Sequence, residues 1–300
     1  SIQRFVHKGR IHSEINQLRS DQGGTVSGRL SYSNPNLQQI PARNKEFGDK
    51  IRSLFLPEEG RQWGSFDYSQ QEPRLVAHYA ASVNEDFSGA DEFIEAYKNE
   101  AADFHQIVAD MAGISRTQAK TINLGLFYGM GKAKLGRELG ISKDNAENLL
   151  NKYHTRVPFV KKLAEAVTGS ASKYGFIRTI KGRKCRFDMW EPATFGMNKA
   201  MQYEEAKAIY GNNIRRAFTY KALNRLIQGS AADQTKQAMI NCYKHGFKPI
   251  LQIHDELCFS INNETDIKGV KEVMENAIEN LKVPFKVDVA LGKSWGEAKE

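Results

Sequence analysis

Ile250-Leu-Gln-Ile-His-Asp-Glu-Leu-Cys-Phe-Ser-Ile261 sets two adjacent carboxylates, Asp255 and Glu256, inside an apolar run. The apolar residues on either side predict two short strands around a tight turn at His254-Asp255. An ionised Asp shielded from water is costly unless a cation or hydrogen bonds compensate it. A second strand-like run, Trp63-Gly-Ser-Phe-Asp67-Tyr-Ser69, carries another isolated carboxylate at its end. Two such carboxylates at strand ends suggest two halves of one metal site.

Outward from these two runs, the chain reads as strands split by a long helical stretch. Residues 1–60 are punctuated by Gly23, Gly24, Gly28, Pro35, Pro41 and Pro57 and read as loops and strands. A strand is expected over about 61–67. Ser69 and Glu72 then have the spacing of a capping box, with Pro73 tolerated in the first helical turn. Helices are expected over 91–100, 102–111, 115–128, 143–153, 157–172 and 198–217. Residues 175–186 interrupt them as a basic hairpin containing Arg178, Lys181, Arg183, Lys184 and Arg186. A long helix follows over 219–245, closed by Gly246. Thr265 is expected to cap a last helix with Ile267, Val270, Met274, Ala277, Ile278 and Leu281 on one face. Phe285, Val287, Val289 and Leu291 alternate as a final strand. The class is therefore α+β, a compact body carrying a helical lobe.

Forty-three Lys and Arg against 35 Asp and Glu leave a formal charge of +8. That balance favours a polyanionic partner, although a basic soluble protein would show it too. With 40% hydrophobic and 26% charged residues, the composition is that of a folded globular chain. Cys185, Cys242 and Cys258 have no zinc spacing and read as thiols of a reducing compartment. No apolar run approaches the roughly 18–20 residues of a membrane span, so no membrane partner is expected. The start lacks a signal-peptide core.

From Ser115 onward, Arg116, Lys120, Leu124 and Tyr128 recur every four residues and line one helical face. Cations at a helix N-terminus suit phosphates, and the apolar and aromatic positions suit a sugar and a base. A surface helix with a core-facing aromatic would have the same spacing. The combination of segments is more specific. Asp67-Tyr-Ser-Gln-Gln-Glu-Pro-Arg74 resembles motif A of family A DNA polymerases, the bacterial DNA polymerase I type. Arg116-Thr-Gln-Ala-Lys120-Thr-Ile-Asn-Leu-Gly-Leu-Phe-Tyr128-Gly129 resembles motif B, and Gln252-Ile-His-Asp-Glu-Leu257 resembles motif C. Ser27-Gly-Arg-Leu-Ser31, Pro35-Asn-Leu-Gln-Gln-Ile-Pro41 and Asn224-Arg-Leu-Ile-Gln-Gly-Ser-Ala-Ala232 also match, in family order over nearly the whole chain.

The resemblance implies a palm, an antiparallel sheet with packed helices, built from residues 1–80 and 216–300. It also implies a mostly helical fingers subdomain over 81–215. By the same resemblance, Asp67 and Asp255 hold two Mg²⁺ ions, for which Mn²⁺ can substitute, with the Tyr68 carbonyl as a further ligand and Glu256 alongside. Arg116, Lys120 and His105 grip the phosphates of an incoming dNTP, and Lys120 can protonate the departing pyrophosphate. Leu124 and Tyr128 meet the sugar and the base. Gln70 lies by the sugar or metal, and Glu72 is the steric gate against a ribose 2′-hydroxyl. Arg29, Arg74, Asn224, Gln228 and His254 contact primer-template DNA, sensing pair geometry in the minor groove. The basic hairpin is a further candidate for template backbone, or a solvated turn.

Three positions depart from the family pattern: Leu124 replaces an aromatic, Pro73 an aliphatic, and Tyr220 a frequent base. The thumb and the 3′→5′ exonuclease that precede this region in relatives are not in the sequence, so the palm and fingers of a longer polymerase are expected. The expected activity is template-directed deoxynucleotidyl transfer to a primer 3′-hydroxyl. The expected location is the cytoplasm of a bacterium or a phage-infected host, or an organelle. The alternatives are a single-subunit RNA polymerase, against which Glu72 argues, and a noncatalytic nucleic-acid-binding module, against which the intact Asp67, Asp255, Arg116 and Lys120 argue.

Overall fold

The structure is a computed structural model that describes residues 2–21, 23–41, 45–83, 90–98, 103–127, 130–194, 196 and 199–298. The fold is α+β, and the chain divides into two compact units. The first comprises residues 1–71 and 231–300, the second residues 72–230.

The first unit is organised by a four-stranded antiparallel sheet. Its strand order is Leu251–Ile253, Glu256–Ile261, Gln62–Tyr68, Val287–Gly292. Gln62–Tyr68 has a partner on each side, which is why it is nearly continuously buried rather than strictly alternating. The register pairs Glu256 with Asp67, Cys258 with Ser65 and Ser260 with Trp63. These residues therefore share one face, and Leu257, Phe259 and Ile261 share the other. On that second face Phe66 and Phe259 meet edge to face, with ring centroids 5.4 Å apart. The Tyr68 ring meets Phe285, and its hydroxyl donates to the Met274 carbonyl at 2.6 Å. On the first face Trp63 stacks on Trp295 at 6.1 Å, in a core with Leu30, Tyr32, Leu37, Leu251 and Cys258. Gly64 permits the close strand contact, because a Cβ there would come within 2.7 Å of the Ile261 side chain.

The second unit is mostly helical. It contains Ala90–Lys98, Phe104–Ala112, Arg116–Phe127, Lys132–Leu139, Lys143–Arg156, Pro158–Tyr174 and Tyr203–Tyr210. Phe176–Arg178 pairs with Lys184–Arg186, as the basic-hairpin reading expects. The helices Gln71–Val83 and Ala222–Lys244 run across the two borders between the units.

Five expectations need correction. The helix expected over 198–217 is confined to Tyr203–Tyr210; Gly211 ends it, and Ile214–Arg216 pairs as a strand with Trp190–Pro192. Lys132–Leu139 was not anticipated, being short and bounded by Gly131 and Gly140. Nor was Lys45–Arg52, in the segment read as loops and strands. The last helix, Glu264–Glu275, is capped by Asn263, which accepts from the Asp266 amide at 3.1 Å. Asn caps better than Thr, and the helix stops before Ile278 and Leu281. Finally, Gln70 sits at φ 52°, so the helix opens at Gln71 and Glu72 is its second residue. The Ser69 amide donates to the Lys286 carbonyl at 2.9 Å.

Candidate active site

Strand register assembles the acidic residues of the first unit. Asp67 is paired with Glu256 on one side and with Asp288 on the other. Three carboxylates thus form a row across adjacent strands on one face, an arrangement that like-charge repulsion disfavours. Asp255 adjoins Glu256 in the two-residue turn of the hairpin. It is therefore one residue, about 3.8 Å between Cα atoms, from the strand partner of Asp67. Within this turn His254 is exposed and lies at φ 56°, a left-handed conformation costly for a residue with a Cβ. The buried Gln252 braces it, donating from Nε2 to the His254 carbonyl.

The Asp255 carboxyl is pushed above its usual range, first by burial and also by the Glu256 charge. Its own backbone amide, Arg29 and His254 act in the opposite direction. Asp67, Asp255 and Glu256 are hard oxygen donors of the kind that suits Mg²⁺ or Mn²⁺. Such a cation would offset the repulsion in the acidic row. Among the described residues no group of three or more His, Cys, Asp and Glu side chains closes around a metal position. The Tyr68 side chain is packed into the core, so only its backbone carbonyl is available for the role expected of it. Arg29 and His254 line one small cleft with Thr235, Lys236 and Gln252.

Cys258 is fully buried and bonds to Glu256 at 3.3 Å. Its thiol is pushed well above the usual range, by burial first and then by Glu256.

The second unit gathers the phosphate-type residues. Asp103 caps Phe104–Ala112, its Oδ1 accepting from the amides of His105 at 2.9 Å and Gln106 at 3.4 Å. Its Oδ2 accepts from Arg116 Nη2 at 2.6 Å and Nε at 2.7 Å. Burial would raise the Asp103 carboxyl, but Arg116 and the two amides outweigh it and hold it low. Arg116 is the first residue of its helix. The turn before it is closed reciprocally: the Ser115 amide donates to Gln118 Oε1 at 3.0 Å and the Gln118 amide to Ser115 Oγ at 3.2 Å. Lys120 is exposed one turn further on, and Leu124 follows on the same helix. Tyr128 lies outside the described residues.

His105 is buried, and the Nδ2 of Asn123 approaches its Nδ1 at 3.1 Å. The Tyr153 hydroxyl donates to Asn123 Oδ1 at 2.6 Å. With its amide oxygen so engaged, Asn123 presents its NH₂ to the imidazole. Nδ1 then accepts, and Nε2 carries the proton. Burial lowers the His105 pKa, Asp103 raises it, and Lys120 and Arg116 lower it again, so the ring favours the neutral form. A neutral ring with a fixed Nε2–H is a directed donor for an anionic oxygen.

Of the remaining expected residues, all but Gln70 lie in the second unit. Glu72 is half-buried near the start of its helix. Arg74 is buried, its guanidinium 4.4 Å from the Tyr97 ring centroid, a packed position. Asn224 and Gln228 are half-buried one turn apart on Ala222–Lys244. Gln70, in the first unit, is half-buried at its left-handed position. Sequence reasoning missed Asp288, Asn123 and Tyr153. Asp288 reads as the solvent step of an alternating strand, and the other two are single polar residues within helices. Only Asn123 had a signal, its place on the helix of the cationic stripe.

The chain matches the family profile of DNA polymerase family A over residues 1–297. The chain belongs to this family. It is 38% identical to a DNA-directed DNA polymerase of Pseudomonas phage M6, covering 99% of this chain and 48% of that protein. It is 34% identical to the thermostable DNA polymerase I of Thermus filiformis, covering 100% of this chain and 34% of that one. Among solved structures it resembles the polymerase domain of Pol1 from M. smegmatis in complex with DNA primer-template and dNTP. That match has a TM-score of 0.77 at 32% identity, covering 99% of this chain and 50% of that chain. The chain thus spans half or less of each of these family A proteins. A divalent metal requirement is general in the family. No described helix is long and apolar enough to cross a membrane.

Proposed function

We propose that this chain is a template-directed DNA polymerase core, transferring deoxynucleotidyl groups from dNTP to the 3′-hydroxyl of a primer. The observation that carries the reading is the register Glu256↔Asp67, which sets Asp255 beside Asp67 at the end of one sheet. The family membership and the likeness to a polymerase domain in complex with primer-template and dNTP support it. In this reading the sheet-bearing unit is the palm and the helical unit the fingers.

Asp67 and Asp255, with the Tyr68 carbonyl, would hold two Mg²⁺ ions, with Glu256 beside them. Ions held there would lower the pKa of the primer hydroxyl and neutralise charge on the triphosphate. Arg116 and Lys120 bind phosphate oxygens, His105 donates from Nε2, and Lys120 protonates the pyrophosphate. Leu124 and Tyr128 meet the sugar and base of the nucleotide. Glu72 crowds a ribose 2′-hydroxyl, with Gln70 near the sugar. Arg29, Arg74, Asn224, Gln228 and His254 contact primer-template, which makes duplex affinity salt-dependent. The full enzyme would add a thumb and an exonuclease portion to this region. The bacterial and phage origin of the relatives supports action in a bacterial cytoplasm.

Primer extension with Mg²⁺ or Mn²⁺ tests the reading. Asp67→Asn and Asp255→Asn should each abolish extension while the circular dichroism spectrum stays that of the parent. Extension retained in both variants rejects the site. Glu72→Ala should admit rNTPs; a parent that already prefers rNTPs would identify an RNA polymerase. Duplex binding without any divalent-dependent dNTP binding would identify a noncatalytic module.

A further inference from the structure

On the sheet face that bears the acidic row, a line of buried side chains runs back from Glu256. Trp63 Nε1 donates to Ser65 Oγ at 3.2 Å. Ser65 Oγ lies 3.8 Å from Cys258 Sγ, and Cys258 Sγ donates to Glu256 Oε1 at 3.3 Å. Trp63, Ser65 and Cys258 are all buried, Cys258 completely. The register explains the alignment: Ser65 faces Cys258 and Asp67 faces Glu256 across the same pair of strands.

The direction of this line is set by its far end. An indole N–H can only donate, so Ser65 Oγ must accept from Trp63. The thiol hydrogen goes to the carboxylate, which only accepts when ionised. The Ser65 hydroxyl is thereby left to donate to Sγ. Three donors in series all point toward Glu256, and hydrogen bonds aligned head to tail polarise one another. The indole at the head is itself held by the stack on Trp295.

We propose that Cys258 is a positioning residue for Glu256: its thiol, at the end of the Trp63–Ser65 donor line, holds that carboxylate on the sheet face beside Asp67 and so tightens divalent-cation binding there. The part concerning cations rests on the polymerase reading; the thiol–carboxylate bond does not. Cys258 touches neither substrate nor cation in this scheme and acts only through Glu256.

Two measurements test the proposal. The first is the infrared S–H stretching band of Cys258, isolated as the difference between the parent and Cys258→Val. It should lie at the low frequency of a bonded thiol and rise in Glu256→Gln. A band unmoved by Glu256→Gln overturns the proposal, and this readout needs no metal. The second is Mn²⁺ affinity by electron paramagnetic resonance. Cys258→Val should weaken binding about fivefold, the worth of one modest hydrogen bond. Cys258→Ser, which keeps a donor, should restore it. In primer extension the same loss should raise the Mg²⁺ midpoint while the KM for dNTP stays at the parent value. Equal Mn²⁺ affinity in the parent, Val and Ser proteins overturns the proposal if Asp67→Asn abolishes binding. If Asp67→Asn binds as the parent does, the metal reading itself fails, and the infrared result still decides the thiol–carboxylate bond.

Discussion

Replacing Tyr153 by Phe removes one oxygen atom and nothing else from the interior of the helical unit. Tyr153 is fully buried, and burial raises its phenol far enough to keep it a donor at any working pH. Its hydroxyl is the donor to Asn123 Oδ1, at 2.6 Å, and Asn123 is completely buried. The variant therefore leaves an amide oxygen in a dry interior without that donor. A buried polar group stripped of its partner costs about 1–3 kcal/mol, and the retained ring avoids a large cavity term. With an unfolding entropy of about 2.1 cal/mol/K per residue, that corresponds in a 300-residue chain to a fall in Tm of roughly 2–5 °C. A second consequence follows at His105. Once Asn123 Oδ1 loses its donor, the amide can turn over and present oxygen to His105 Nδ1. The ring then shifts toward the Nδ1–H tautomer. Urea denaturation measures the first effect, and the ¹⁵N shifts of the imidazole measure the second. If His105 contacts phosphate, the KM for dNTP rises with the tautomer change. A Tyr153→Phe protein of parental stability with unchanged imidazole shifts would refute the hydrogen-bond reasoning from Tyr153 to His105.

Two further predictions concern charge. His105 is lowered chiefly by burial, against Asp103 and with Lys120 and Arg116; His154 is lowered by burial and Lys161, against Glu165. The unfolded chain, with imidazoles near about 6.5, therefore takes up protons first as the pH falls. Their contribution to stability is complete above that value and is lost as the pH drops through the folded values. Unfolding free energies measured over about pH 5–7.5 should decline on the acid side, and His105→Asn should flatten the decline; an unchanged slope would remove His105 as a cause. At Asp103, the Asn variant keeps the helix cap and loses only the ion pair with Arg116, whose side chains are 52% exposed for Arg116 and 31% for Asp103. Solvent screening holds that loss to at most about 1 kcal/mol. Asp103→Ala also loses the cap and should cost about 1 kcal/mol more in urea denaturation. Equal losses in the two variants would show that the cap contributes nothing.

Local patterning was a good guide wherever one strong signal governed a segment. The hairpin at 250–261 was legible because apolar runs flank a polar turn, and Gly246, at φ 88°, does follow the long Ala222–Lys244 helix. The pattern misled where two signals competed. Asn263 took the cap from Thr265, and the left-handed Gln70 displaced the helix start from the Ser69–Glu72 spacing. Between 198 and 217 the strand Ile214–Arg216 is selected by its partner Trp190–Pro192, which no helical periodicity can anticipate. The site was legible in part. Asp67 and Asp255 stood out because carboxylates in apolar strand-like runs need a compensating partner, whereas Arg116 and Lys120 were picked out only by the resemblance of their segment to motif B. Asp288, Asn123 and Tyr153 did not, because each becomes meaningful only through a neighbour distant in the chain.

From the amino-acid order alone came the α+β class, the two acidic strand ends and the cationic helical stripe, all consequences of residue type and short-range spacing. Tertiary structure decided which carboxylates stand side by side. Pairing of Gln62–Tyr68 with both Glu256–Ile261 and Val287–Gly292 converts three separate acids into one row, and a slip of a single residue would turn each to the opposite face. It also decided that the Asn123 amide aims its NH₂ at His105 and that the thiol of Cys258 meets Glu256. Strand register and the direction of a hydrogen bond depend on partners brought together by folding, which local sequence does not encode.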